Sequence, residues 1–556
     1  MKPTIRVICR NSQSTFEVEM GTPLTELAAL LPTPIRPYLA ALVNNRLKEL
    51  AYRIYRPVTV QFVDNTSFEG NRVLQRTAWF ILQEAARTLY PDHTLHIRHS
   101  LGGGGFYCEM EGIEAFTVEA TAAIADQMQR IVEENHPIER RRMPTEEVRA
   151  CYEERGFHDK IELIDSRPQL YSEMHTMGDA VGFFYGALAP SSGHLRCFNV
   201  QPYYKGFRLL LPTRTNPDGL EAGIEQAKMT DVFDEYQSWV EMMGFPTVGA
   251  INRLTKAGDA SSLIKVGEAF HERKFAEIAD AIRQAHDTRG VRLVLISGPS
   301  SSGKTTSSKR LAVQLGVLGF HPVLIALDDY FVDRDKTPLD ANGDYDYEAL
   351  EAIDLTLFND HLQRLIRGEA VEIPRYDFIT GRRQWHERPL QLDDRSILII
   401  EGIHGLNPRL TPSIPDEQKF RIYISCFTSV AMDNLNRIAT TDNRLLRRLI
   451  RDYRTRGNDA VATLSRWPSV RRGEERHIFP YQENADRMLN SSLFYELSVL
   501  RPFAEPILRE VPDTIPEYNE ACRLLKFLEN FIPIPPEEIA PTSILREFIG
   551  GSTFNY

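Results

Sequence analysis

The sequence predicts an α/β protein whose C-terminal half is a parallel sheet flanked by helices, and three stretches carry that prediction. The apolar run VRLVLIS (residues 291–297) stops at Gly298 and passes through Pro-Ser-Ser-Ser to Gly303. It then continues from Lys304, Thr305 and Thr306 into the helical-looking SSKRLAVQLGVL. Further on, HPVLIALDDYF and SILIIEGIHGL are apolar strand-like runs that end in Asp328-Asp329 and in Glu401. Continuous apolar runs of this length fit strands buried on both faces, as in a parallel sheet covered by helices.

Two glycines with four residues between them, followed by Lys and Thr, form a phosphate-binding loop when they sit between a strand and a helix. Glycine lets the backbone curl until successive N–H groups face phosphate oxygens, and the helix adds its positive N-terminal end. The candidate cradle is Gly298, Ser300, Ser301, Ser302, Gly303, Lys304, Thr305 and Thr306. Lys304 would reach the β/γ-phosphates and the Thr305 hydroxyl would ligate Mg²⁺. The motif therefore predicts a nucleoside triphosphate site.

Length and composition bound the rest. A chain of 556 residues suggests three or four domains at roughly 150 residues each. Its apolar fraction of 42% and charged fraction of 25% are those of an ordinary soluble protein. The formal charge of −11 argues against nucleic-acid binding by bulk positive charge and leaves only a local basic patch for it. Cys9, Cys108, Cys151, Cys197, Cys426 and Cys522 are scattered with no CxxC pair, so they read as reduced thiols. The N-terminus lacks the apolar core of a signal peptide, and no apolar run approaches the ~18 residues of a membrane span. The expectation is a cytoplasmic protein without membrane contact; a homo-oligomer is compatible with the sequence.

Residues 1–65 read as strand, strand, helix, strand, strand, with Thr22-Pro23 opening the helix after Gly21. This order resembles the TGS domain at the start of threonyl-tRNA synthetases, which implies a β-grasp module used for RNA contact or regulation. From 66 to 224 the chain resembles the second domain of those synthetases, an α+β domain. The helical RTAWFILQEAARTLYP, then HIRHSLGGGGFYCEMEG, then YGALAPSSGHLRCFNV carry the likeness. In that family the domain holds an editing site of two His on one helical turn, then a Cys and a His. Those places fall here on Arg76, Phe80, Phe184 and Leu188. None supplies an imidazole or thiolate, so the resemblance implies that aminoacyl-tRNA hydrolysis is lost. His96 and His99 are the nearest candidates for a replacement site. Residues 225–288 show apolar spacing of three and four, as in packed helices, and read as a helical connector.

The chemistry downstream of the loop narrows the function. A carboxylate at the end of the strand that lies beside the phosphate loop can accept a proton from an attacking hydroxyl and help hold Mg²⁺. Asp328-Asp329 sit at such an end, and Glu401 ends another buried strand, where an idle carboxylate would be costly. Between Arg437 and Arg476 the chain has eleven Arg, five acids and no Lys, a composition suited to bidentate phosphate clamping.

From 289 to about 510 these motifs strongly resemble the uridine kinase/phosphoribulokinase family, a P-loop kinase fold. The resemblance implies ATP and Mg²⁺ as cofactors, Asp328 as base with Asp329 as its neighbour, and Glu401 with Thr305 at the metal. DYDYEALEAIDLTLF resembles the family's acceptor element, with Glu348 where proline stands, and implies Asp346 on ribose hydroxyls. EIPRYDFITGRR implies Tyr376 and Phe378 flanking a substrate ring, while the family's base-recognising His falls on Gly381. DNRLLRRLIRDYRTRG resembles the family's lid; Arg447 and Arg451 are assigned there to catalysis with Lys304, and Arg444 to substrate. Residues 511–556 read as a helical, Pro-rich tail.

The combined reading is an ATP-dependent kinase acting on a small-molecule hydroxyl, with a ribonucleoside 5′-hydroxyl foremost. A kinase of another hydroxyl compound and an RNA-associated regulatory NTPase are the competing readings.

Overall fold

The computed structural model describes residues 3–339, 343, 345–377, 380–385 and 388–555. The N-terminal sheet has five strands in the order Ser14–Glu19, Thr4–Cys9, Val58–Val63, Ala40–Val43, Arg46–Lys48. Thr4–Cys9 runs parallel to Val58–Val63. The helix Leu24–Ala29 packs on the sheet through Leu24 and Leu27. The three-residue strand Arg46–Lys48 is additional to the sequence reading. It follows a two-residue turn in which Asn44 and Asn45 both have positive φ, +46° and +56°, the conformation a tight hairpin requires and asparagine tolerates.

The next unit is built on the 22-residue helix Phe68–Leu89, whose start is capped by the Ser67 hydroxyl accepting the Gly70 N–H at 3.0 Å. Fourteen of its residues are buried, so the helix is a central pillar and not a surface element. It packs against a four-stranded antiparallel sheet in the order Asn199–Tyr203, Gly206–Leu210, Gly105–Met110, Leu95–Ser100. A separate three-stranded sheet is formed by Ala180–Gly182, Tyr171–Met177 and Ile138–Pro144.

Three helices, Ala227–Met242, Val248–Ala257 and Ala260–Arg289, lead to the C-terminal sheet. Val240, Ile251 and Leu263 share one apolar core with Leu445 and Leu449, with Val499, and with Leu524 and Phe527 of the tail. The tail helix Tyr518–Leu528 is thus part of the packing around the arginine-rich helix Thr440–Thr455. A buried charge network ties the same elements: Arg523 donates to Asp442 at 2.7 and 2.8 Å and to Glu520 at 2.7 Å, and Arg72 donates to Glu520 at 2.7 Å.

The C-terminal sheet is five-stranded and parallel throughout, in the order His321–Ala326, Ser396–Glu401, Leu293–Ser297, Lys419–Ser425, Arg487–Asn490. All five residues of Leu293–Ser297 are buried, as expected of a central parallel strand. The chain leaves this strand toward one side and later returns to build the other. That reversal opens a crevice at the carboxyl ends of the strands, where open α/β sheets bind ligands. Ala326 and Ile296 both stand opposite Glu401 in register, so the strand ends carrying Asp328, Glu401 and the phosphate loop meet at one edge. No helix among the described residues is long and apolar enough to cross a membrane.

Candidate active site

The phosphate loop follows the strand Leu293–Ser297 and feeds the helix Lys304–Val317. Gly298 is required by contact: a Cβ there would lie 2.0 Å from the Ile424 carbonyl oxygen. Ser301 at φ +58° and Gly303 at φ +83° turn the loop through the left-handed region. Ser302 N–H donates to the Pro299 carbonyl at 3.2 Å, and Lys304 Nζ curls back to the same carbonyl at 3.2 Å. Thr305 Oγ1 donates to Glu401 Oε1 at 2.9 Å, which brings a hydroxyl and a carboxylate together from two adjacent strand ends. Oxygen pairs of this kind suit Mg²⁺. Among the described residues the buried hydroxyls of Ser301 and Ser302 have no hydrogen-bond partner, which leaves them donor and acceptor capacity. The residues present therefore fit a magnesium nucleotide.

Asp328 lies in the short turn Leu327–Tyr330 that follows His321–Ala326. Its carboxyl is reached by solvent yet walled by protein; burial pushes it upward, while Lys304, then Arg456 and Arg451, pull it down. Solvent at the cleft mouth tempers the upward push. Asp329 is engaged differently: its carboxylate accepts the Tyr376 backbone N–H at 3.2 Å. Asp328 thus lies within the field of Lys304 and the arginines, whereas Asp329 is tied to the strand Pro374–Asp377.

Glu401 is pushed up to about 7, first by burial and also by Asp328, with Lys304 opposing. Glu348 is pushed to about 7 by burial and by Glu474. A metal held at Glu401 would bind the ionised carboxylate, so protons would compete with it around and below neutrality. We predict that Mg²⁺ affinity rises from pH 5.5 through the Glu401 midpoint at about 7 and levels off only above it, and that Glu401→Gln flattens the profile. A flat wild-type profile in calorimetric titration would contradict the placement of Glu401 at the metal.

Three arginines surround one buried carboxylate beside the loop. Arg448 Nε lies 3.2 Å, Arg451 Nη2 2.9 Å and Arg456 Nε 3.7 Å from Asp452, and Arg448 Nη1 also donates to Ser300 Oγ at 2.8 Å. The excess cation is felt: Arg456 is lowered to about 10, chiefly by Arg451. Arg451 is one of these three. Arg444 and Arg447 depart from their assignments to substrate and catalysis. Arg444 is 1% exposed and donates both Nη groups to Glu474 at 2.6 Å. Arg447 is fully buried, with Nε on Glu496 at 3.1 Å and Nη2 on the Ser491 carbonyl at 2.9 Å. Both cations are consumed by internal carboxylates because burial without a counter-charge would be prohibitive.

On the acceptor side, Asp346 is half-buried and accepts the Glu348 N–H at 3.1 Å. Tyr376 is 4% exposed, its ring 5.6 Å from Phe331; Phe378 lies outside the described residues. Gly381 has φ +69°, and a Cβ there would meet Arg334 Nε at 2.7 Å. Arg334, which the sequence reading did not single out, thus stands beside the position of the family's base-reading histidine. Glu474 and Glu547, also missed, each accept a loop N–H: Ser300 at 3.3 Å and Thr306 at 3.2 Å. No local motif marks them, since their partners lie 174 and 241 residues away.

The four positions aligned with the synthetase editing site do converge, but as core. The Phe80 and Phe184 rings pack at 5.4 Å, Arg76 Nε donates to the Ala187 carbonyl at 3.0 Å, and Leu188 is 1% exposed. His99 is stacked on Phe233 at 4.2 Å and, like His96, is lowered to about 3 by burial, so both are neutral. A cavity of about 810 Å³ near His96 is lined by Arg98, Lys205 and Arg437. Its Arg98 is paired with Glu109 and Glu241, and its Lys205 with Asp234. It lies away from the phosphate loop.

Residues 293–493 match the family model described as the phosphoribulokinase / uridine kinase family. The C-terminal domain belongs to that family. Among curated relatives, a uridine kinase from Staphylococcus aureus (strain JH9) is 28% identical over 199 residues, 36% of this chain and 86% of its own length. The N-terminal part is similar to the threonine--tRNA ligase of Clostridium kluyveri, 31% identical over 194 residues and 34% of this chain; the chain spans 30% of that ligase's length. The solved structure of a possible uridine kinase from Bacillus stearothermophilus is 24% identical, covers 27% of this chain and 79% of its own, and has a TM-score of 0.23. The chain thus joins a phosphoribulokinase / uridine kinase family domain to a threonine--tRNA ligase-like front part.

Proposed function

We propose that the protein is an ATP- and Mg²⁺-dependent kinase that transfers the γ-phosphoryl group to the 5′-hydroxyl of a ribonucleoside. The observation that carries the donor half is the 2.9 Å contact of Thr305 with Glu401 at the mouth of the loop, with Lys304 and Asp328 at the same edge. Lys304 and the loop amides hold the phosphates, and Thr305 and Glu401 would hold the metal, which would supply neutralisation of the triphosphate charge. Asp328 takes the acceptor proton. Arg448, Arg451 and Arg456 hold more positive charge than Asp452 cancels, and so favour the charge that develops on the transferring group.

For the acceptor, Asp346 can receive hydroxyl hydrogen bonds on its remaining oxygen capacity, as an ionised carboxylate does, while the Tyr376 and Phe331 rings are buried in the core and would serve as its backing. Release of ADP should be stimulated by at least one member of a panel of nucleosides and sugars. If no hydroxyl compound raises ATP consumption above the water background, the kinase reading fails; if a sugar or other alcohol outcompetes all nucleosides, the acceptor class changes. The ligase-like front part supports a second role in RNA contact. Salt-dependent RNA binding by the full chain tests it, and salt-insensitive or absent binding removes it.

A further inference from the structure

Glu547 comes from the tail, 241 residues beyond Thr306, yet its Oε2 accepts both the Thr306 backbone N–H at 3.2 Å and the Thr306 hydroxyl at 2.6 Å. Thr306 lies in the first turn of the helix Lys304–Val317, where backbone N–H groups have no intrahelical acceptor. These are the groups that a P-loop offers to the α/β-phosphates. A carboxylate of the chain itself thus sits on a donor that the nucleotide needs.

The contact is built into the fold. Ile544, Leu545 and Phe548 are each fully buried, so the segment around Glu547 is anchored in the core. Ile544 packs so closely on Gly303 that a Cβ there would lie 2.7 Å from its Cγ2. Arg454 Nη1 donates to the Phe548 carbonyl at 2.7 Å, and the Arg447 guanidinium lies 5.0 Å from the Phe548 ring. The backbone on both sides of Glu547 is therefore fixed, while its side chain is only half-buried.

We propose that Glu547 sets the affinity of the donor site by occupying the α-phosphate position, so that ATP binds only by displacing its carboxylate from Thr306. This rests on the reading of residues 298–306 as the triphosphate cradle. One N–H and one hydroxyl cannot serve two anions at once, and the repulsion between a carboxylate and a phosphate at hydrogen-bond range excludes their coexistence. The tail thereby couples donor binding to the packing of the chain's C-terminal segment.

The test is calorimetric titration of the full-length protein with MgATP at fixed ionic strength, comparing wild type with Glu547→Gln, Glu547→Ala and the exposed tail control Glu538→Gln. Losing a charge-assisted competitor should tighten MgATP binding by about tenfold or more in both Glu547 variants, with the control unchanged. Glu547→Gln keeps the shape and an acceptor oxygen, so it decides the matter if Glu547→Ala does not fold. Affinity within twofold of wild type, or weaker, overturns the proposal while leaving the cradle reading intact. An equal gain in Glu538→Gln also overturns it, because the effect would then be one of net charge. If wild type and variants alike fail to bind MgATP, the cradle reading and the proposal fall together.

Discussion

Replacing Asp328 by Asn is expected to lower turnover by about 10²–10⁴-fold, the range a positioned general base supplies, with the MgATP dissociation constant nearly unchanged. Asn conserves shape but cannot take the acceptor proton, and no loop amide is bonded to Asp328 among the described residues. The substitution carries a second signature. Asp328 is one of the groups that hold Glu401 up at about 7, so removing its charge should let Glu401 ionise at lower pH. The pH at which Mg²⁺ affinity levels off should then move downward. Asp329→Asn should be mild, because an amide oxygen can still accept the Tyr376 N–H that Asp329 now holds at 3.2 Å. Steady-state kinetics on both variants decides between them: a normal rate in Asp328→Asn with a crippled Asp329→Asn would reverse the assignment.

The contrast between these two aspartates shows where sequence reasoning stops. Strand, glycine loop, lysine and threonine are legible because their chemistry is local: the backbone geometry of a phosphate cradle dictates small residues at fixed spacing. The carboxylates at strand ends are legible for the same reason, since a parallel sheet brings successive strand ends to one edge. Which of two adjacent aspartates faces the cleft depends on Tyr376, 47 residues on, and no spacing rule contains that. The arginines show the same limit more sharply. Eleven arginines in one stretch read as a phosphate clamp, but Arg444 is consumed by Glu474 and Arg447 by Glu496, 30 and 49 residues away. Composition counts charges; only tertiary structure says which are already neutralised. Glu547 was invisible for the same reason, being an unremarkable residue in a Pro-rich tail until the fold lays it on Thr306.

The pair Arg447–Glu496 should therefore behave as a structural element, and its loss should be the largest stability effect in the C-terminal domain. Arg447 is 0% and Glu496 1% exposed. Burial opposes the Arg447 charge, yet the adjacent Glu496 carboxylate holds it above the usual arginine range. Glu496 Oε1 also accepts Ser492 Oγ at 2.7 Å and the Asn443 side-chain amide, so the pair is satisfied on every side. Glu496→Gln leaves a buried guanidinium without its counter-charge, and Arg447→Met leaves a buried carboxylate; each should cost about 3–5 kcal/mol in denaturant unfolding. The double replacement Arg447→Met with Glu496→Leu should recover much of that loss, because neither desolvated charge remains. A catalytic arginine predicts otherwise: Arg447→Met would retain stability and lose turnover. Arg447 also reaches the Ser301 carbonyl at 3.5 Å and the Ser491 carbonyl, so the double variant should fold with a less constrained loop and bind MgATP more weakly than wild type. Recovery of stability without recovery of nucleotide affinity is the result that separates a brace behind the loop from a contact to the phosphate itself.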